Sequence, residues 1–157
     1  MPAQARKPRL VHGVALALAV DPDGPLAGTL LLGRAGAGKS ALAVAAVETC
    51  PWRRTALVAD DAVLIETDGK SVWVSAPERI RGLVELRGFG PVPIRALARA
   101  RLIAAFDLDA PGARVPQPAA FEAGRGARLP LYPFAQGPDG PIRLRMALRA
   151  ILGGQTP

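Results

Sequence analysis

Gly33-Arg34-Ala35-Gly36-Ala37-Gly38-Lys39-Ser40 satisfies the pattern G-x-x-x-x-G-K-[ST] at every fixed position. Glycines let the backbone fold tightly enough for successive N–H groups to point at one anion. A helix starting at Gly38–Lys39 would add the positive end of its dipole. Lys39 supplies a mobile cation for the β- and γ-phosphates of a nucleoside triphosphate, and the Ser40 hydroxyl is a ligand for Mg²⁺. With 17 glycines in the chain, and few Lys, Ser and Thr, a chance match has odds of roughly two in a thousand. All eight residues are therefore assigned to a nucleotide site.

Val58-Ala59-Asp60-Asp61 follows about twenty residues beyond Lys39. One carboxylate at the end of an apolar strand is the usual partner of the Mg²⁺ waters at such a loop. Neighbours on a strand point to opposite sides, so a second carboxylate would face elsewhere. Two acids beside a cationic phosphate site can divide the work: one accepts a proton and the other orients metal or substrate. On these residues alone, a strand end running into an Asp-rich turn accounts for the pair equally well.

The flanking elements suit both motifs. Residues 26–32 (LAGTLLL) read as a strand running into the loop, and KSALAVAAVETC from Lys39 as a helix stopped by Pro51. Ala and Val on every face of that helix predict burial all round. Upstream, 10–20 (LVHGVALALAV) reads as one strand closed by the turn cluster DPDGP. TALVADD (55–61) is a short strand, and AVLIETDGKSVWVSA a hairpin about Asp68-Gly69. Single strands follow at 83–90 and 100–108. Residues 110–141, rich in Pro, Gly and Ala, read as irregular. PIRLRMALRAILGG reads as a helix with Ile142, Met146 and Ile151 among its apolar residues. The expectation is one α/β domain over 1–157, a mixed sheet around the phosphate loop and its helix, with a basic segment at 1–9.

Composition narrows the function classes. Half the residues are hydrophobic but only 4% are aromatic, so the core must be Ala, Val and Leu. The single Cys50 forms no internal disulfide, which suits a reducing cytoplasm. No stretch resembles a signal peptide or reaches the roughly 18–20 apolar residues of a membrane span. The net charge of +7 comes from scattered arginines. Arg143, Arg145 and Arg149 read as a solvated helix face, and too few aromatics exist for a nucleic-acid stacking platform. No nucleic-acid or membrane partner is expected.

Other nucleotide-binding classes lack their marks. The chain has no Asn, hence no N-K-x-D guanine reader, and Leu152-Gly153-Gly154-Gln155 is a fragment of L-S-G-G-Q without its Ser. Instead GRAGAGKS, then LVADDAV, then SAPERIRGLVELRGFGPVPI resembles, in order and spacing, the catalytic domain of HPr kinase/phosphorylase. That family has a phosphate loop, an ADD segment and a signature of the form L-E-I-R-G-L-G; His12-Gly13 is similar to its His-Gly on the first strand. The resemblance runs over residues 11–108.

It implies an enzyme that moves a phosphoryl group from ATP, with Mg²⁺, to a serine of the carrier HPr or a paralogue in control of carbohydrate uptake. It also implies reversal by inorganic phosphate, yielding pyrophosphate. Carried over, Asp60 is the catalytic carboxylate, Asp61 its support, and His12 a neighbour that biases its protonation. Ser40 and Glu85 hold Mg²⁺, and Arg87, Gly88 and Gly90 shape the signature loop, with Arg87 pairing phosphate or carboxylate. The absence of the family's N-terminal domain resembles its short form; the long form is hexameric. Departures are Ala41, where many members have an acid, and a shortened segment before Leu102, where Arg95, Arg99 or Arg101 are candidates to replace a missing arginine. By residue type alone, His12 also reads as a half-buried strand histidine, Glu85 as a solvent-facing strand residue and Arg87 as a structural ion-pair partner. An ATP-binding regulatory module without catalysis, or a kinase of a small molecule, stand as alternatives.

Overall fold

A computed structural model of the protein describes residues 7–109 and 119–154. The strand expected over 10–20 is two: β1 (Arg9–His12) and β2 (Val14–Leu18). Gly13 divides them, and the reason is steric. A Cβ there would lie 2.9 Å from the carbonyl oxygen of Leu31. After β3 (Ala27–Leu32) and helix α1 (Lys39–Glu48) the chain returns along β4 (Ala56–Ala59) and β5 (Ala62–Asp68). β1 pairs antiparallel with β5 and β2 with β4, in registers that run through: His12↔Ala62, then Gly13 N–H to Asp61 O at 3.0 Å, then Ala15↔Ala59. β1–β2 and β4–β5 are thus one two-stranded ribbon, bent where Gly13 faces Asp60–Asp61.

The bend lets a mixed sheet curl. β6 (Ser71–Ser75) closes the expected hairpin with β5, and β9 (Arg99–Asp107) follows further on. The order is β1-β5-β6-β9-β3-β2-β4, with β3 and β9 parallel. Curling buries both faces of the centre. Val14, Leu16 and Leu18 face a core shared with Leu42, Val47, Leu144 and Leu148, while Ala15 and Ala17 face Val63, Val72, Leu102 and Phe121. This double burial is why β2 is apolar at every position rather than alternating. In the first of these cores Phe106 packs against Tyr132 and Phe134 at centroid distances of 5.7 and 5.9 Å.

Several expectations are corrected. In place of one strand at 83–90 there is a small separate hairpin over 83–93, β7 (Leu83–Leu86) and β8 (Gly90–Pro93), turning at Arg87-Gly88-Phe89. Within 110–141, residues 110–118 lie outside the described residues, but β10 (Ala119–Gly124) and β11 (Ala127–Pro133) are regular. β11 runs parallel to β9. Its prolines fall where it is paired on one side only, Pro130 with β10 and Pro133 with β9. α1 is buried on one face only, because Ala41, Val44 and Ala45 line an open cleft. In the last helix, α2 (Gly140–Leu152), the buried stripe is Leu144 and Leu148, whereas Ile142 and Met146 are 57% and 58% exposed. Nor is its arginine group a solvated face. Arg145 is buried beside the Trp52 ring, and Arg149 donates to the Val20 carbonyl at 2.7 Å. Of the terminal segments, 1–6 and 155–157 lie outside the described residues. Among the described residues no helix is long and apolar enough to cross a membrane.

Candidate functional site

β3, β9 and β11 run parallel, and the loop Gly33–Gly38 leaves the carboxyl end of β3. Open α/β sheets bind ligands at this edge. Gly33, Gly36 and Gly38 all have positive φ (145°, 85° and 94°), so the loop's tight course depends on residues without a Cβ. α1 starts on Gly38, whose carbonyl accepts the Leu42 N–H at 3.0 Å. Lys39 is buried, its Nζ folded back onto the carbonyls of Gly33 (2.6 Å) and Arg34 (2.9 Å). A phosphate oxygen would offer that ammonium a charged partner in place of two neutral ones.

Ser40 Oγ donates to Asp60 Oδ1 at 2.6 Å. Asp60 is only 8% exposed, and its other oxygen receives a long 3.5 Å contact from the Glu85 N–H. Asp61 faces the other way. Its φ of 67° is unusual for a residue with a side chain, and the Ala62 N–H bonds the Asp60 carbonyl across it at 2.8 Å. This three-residue turn bends the strand and throws the Asp61 carboxylate into the open. There it meets His12 Nδ1 at 3.3 Å, the two side chains being 77% and 57% exposed. His12 had been expected beside Asp60; the bend pairs it with Asp61. A half-buried strand histidine is not what the structure holds.

The cleft is open and has a volume of about 930 Å³. His12, Lys39, Ser40, Asp61, Glu85 and Arg87 line it, so five of the six side chains singled out at Asp60, Asp61, His12, Arg87, Ser40 and Glu85 share one wall space, with Asp60 behind it. Gly88, at φ 80°, turns the hairpin that brings Arg87 there. Among the described residues Arg87 makes no salt bridge, so the structural ion-pair reading finds no partner. Arg95, Arg99 and Arg101 do not line the cleft: Arg95 donates to the carbonyls of Val47 and Thr55, and Arg99 stacks over Trp73 at 4.0 Å.

Among the described residues no three His, Cys, Asp or Glu side chains converge as a metal cage. That suits Mg²⁺, which is commonly held by a hydroxyl or one or two carboxylates plus phosphate oxygens. Ser40 and Asp60, already in contact, fit such a site; Glu85 offers its carboxylate from the cleft wall. Two loop contacts were not foreseen. The Asp109 carboxylate accepts the Arg34 N–H at 2.5 Å, and Gln136 Nε2 donates to the Gly38 carbonyl at 2.6 Å. No local spacing marks either residue, because parallel strands far apart in sequence deliver them.

The sequence model described as the HPr Serine kinase C-terminal domain matches residues 6–105. The chain belongs to that family. Its curated relatives include HPr kinase/phosphorylase of Prosthecochloris aestuarii, 40% identical over 77 residues, which are 48% of this chain and 22% of that protein. The HPr kinase/phosphorylase of Bacillus licheniformis is 37% identical over 97 residues, 61% of this chain and 28% of that protein. The chain thus matches only 22% to 28% of these relatives' length. The solved Hpr(Ser) kinase/phosphatase from Coxiella burnetii shares the fold, with a TM-score of 0.72, 20% identity, and 93% of this chain and 92% of that one covered. An HPr-kinase C-terminal domain fold therefore carries the bent ribbon and the cleft described above.

Proposed function

We propose that this HPr-kinase-family domain binds Mg-ATP in the Gly33–Ser40 loop and transfers the γ-phosphoryl group to a serine of an HPr-type phosphocarrier. The observation that carries the reading is the split between the two carboxylates. Asp60 is buried behind the loop on the Ser40 hydroxyl; Asp61 stands in the cleft against His12. Lys39 would leave its loop carbonyls for the β- and γ-phosphates, and Ser40 with Asp60 would hold the Mg²⁺ that neutralises them.

The Asp61 carboxylate, reachable from the cleft, takes the serine proton as the new O–P bond forms and the bond from Pγ to the ADP oxygen breaks. The family resemblance gave that role to Asp60. Burial and its hydrogen bond to Ser40 make Asp60 the better metal orienter and leave Asp61 the better base. His12 then holds the base in place. Arg87, free of salt bridges among the described residues, is available to the transferring phosphoryl oxygens. In the same cleft inorganic phosphate would attack the phosphoserine phosphorus; the bond to the serine oxygen breaks as Asp61 returns the proton to that oxygen, and pyrophosphate leaves. Use of ATP and a phosphocarrier would set the domain to work in the cytoplasm.

Single-turnover transfer of labelled phosphate to an HPr-type carrier tests the division of roles. Asp61→Asn should slow transfer by about 10²- to 10⁴-fold with Mg-ATP binding kept. Asp60→Asn should chiefly weaken the Mg²⁺ dependence of nucleotide binding. The opposite pattern would return the base to Asp60.

A further inference from the structure

The phosphate loop is held at two points by side chains outside its motif. At its second residue the Asp109 carboxylate accepts the Arg34 N–H at 2.5 Å and lies 3.6 Å from Arg34 Nε. At its sixth, Gln136 Nε2 donates at 2.6 Å to the Gly38 carbonyl, the same oxygen that receives the first helical N–H of α1. A Cβ on Gly38 would sit 2.5 Å from that amide nitrogen, so the glycine also makes room for the contact.

Both side chains are themselves anchored to the sheet. Leu108 N–H bonds the Leu32 carbonyl at 2.9 Å, Asp109 N–H bonds Asp107 Oδ1 at 2.9 Å, and Phe134 N–H bonds the Asp107 carbonyl at 2.9 Å. The ends of β9 and β11, which lie in turn on one side of β3, therefore register both ends of the loop against β3. Between the two clamps lie Ala35, Gly36 and Ala37, the stretch of such a loop that offers N–H groups to a phosphate chain; here the Ala37 N–H bonds the Arg34 carbonyl at 3.0 Å.

The charge of Asp109 is the informative feature. A carboxylate next to an anion site repels its ligand, a cost that another role must offset. Here its oxygen satisfies a loop N–H, and Arg34 offsets part of the charge. We infer that Asp109 and Gln136 are positioning residues for the nucleotide's phosphate chain, holding the Arg34 and Gly38 ends of the loop at the spacing the phosphates require. This rests on the reading of Gly33–Ser40 as a nucleotide phosphate site.

Calorimetric titration of the full chain with Mg-ADP, and separately with Mg-pyrophosphate, tests it, with the melting temperature of each unliganded variant measured alongside. Asp109→Ala and Gln136→Ala should each weaken both ligands by about tenfold. Asp109→Asn keeps an acceptor oxygen for the Arg34 N–H and should recover most of the affinity. Gln136→Glu, which removes the donor at nearly constant shape, should behave like Gln136→Ala and replaces it if the alanine variant does not fold. Unchanged or tighter binding in Asp109→Ala, as simple charge repulsion requires, would overturn the inference. So would a loss confined to Mg-ADP, which would point to the base or ribose instead. Wild-type chain that binds neither ligand would overturn the phosphate-site reading as well; wild type and variants binding alike would overturn only the positioning roles.

Discussion

Replacing Asp61 separates backbone strain from chemistry at one residue. Its φ of 67° lies in the left-handed region, where a residue with a Cβ is disfavoured by about 1–2 kcal/mol relative to its ordinary conformations. Asp tolerates the region better than Ala does, so Ala is the cleaner reference. Asp61→Gly and Asp61→Ala both remove the carboxylate and its 3.3 Å contact with His12. That contact is between two largely exposed groups, contributes little, and cancels between the variants. What remains is the backbone. Glycine escapes the steric cost but loses about 0.5–1 kcal/mol through its freer unfolded chain. Asp61→Gly should therefore be more stable than Asp61→Ala by roughly 0.5–1 kcal/mol, or about 1–4 °C in melting temperature. At an ordinary strand or helix position the order is the reverse. Urea unfolding followed by circular dichroism gives the comparison, and both variants should lack phosphoryl transfer. Equal stability, or Asp61→Ala the more stable, would mean that the bend imposes no left-handed geometry on this residue.

Other outcomes follow from the same contacts. Ser40→Ala leaves the buried Asp60 carboxylate without its 2.6 Å donor. It should cost about 1–3 kcal/mol in urea unfolding and reduce the gain in nucleotide affinity that Mg²⁺ brings in calorimetry. Leu148→Ala, in a fully buried position of α2, should cost about 2–5 kcal/mol in the same unfolding assay. Ile142→Ala on the exposed face should stay within about 0.5 kcal/mol, which checks the helix's orientation. Gly13→Val drives a side chain against the Leu31 carbonyl and should cost about 1–3 kcal/mol or more, measured by thermal unfolding.

The motif residues were legible because their chemistry is local. A strand, six residues and a lysine-led helix suffice to specify the loop, and the Asp60–Asp61 pair and the hairpin at Asp68-Gly69 stood out for the same reason. The bend was not legible. Gly13 lies inside a stretch that reads as one strand, and its closeness to Leu31, a contact between strands, divides that stretch in two. The pairing of His12 with Asp61 follows from that bend and was hidden with it. β10 and β11 were obscured by the glycines and prolines around them; what makes them strands is partnership with each other and with β9. In α2 the apolar residues fall on more than one face, and α1 together with β2 selects Leu144 and Leu148 as the buried stripe.

Intact-mass spectrometry of HPr-type carrier proteins after incubation with this chain, ATP and Mg²⁺ tests the central claim most directly. The account predicts one added phosphate, located on a serine, formed about 10²- to 10⁴-fold more slowly with Asp61→Asn and removed again by excess inorganic phosphate with release of pyrophosphate. Carriers of unchanged mass, beside a chain that binds Mg-ATP tightly, would contradict it.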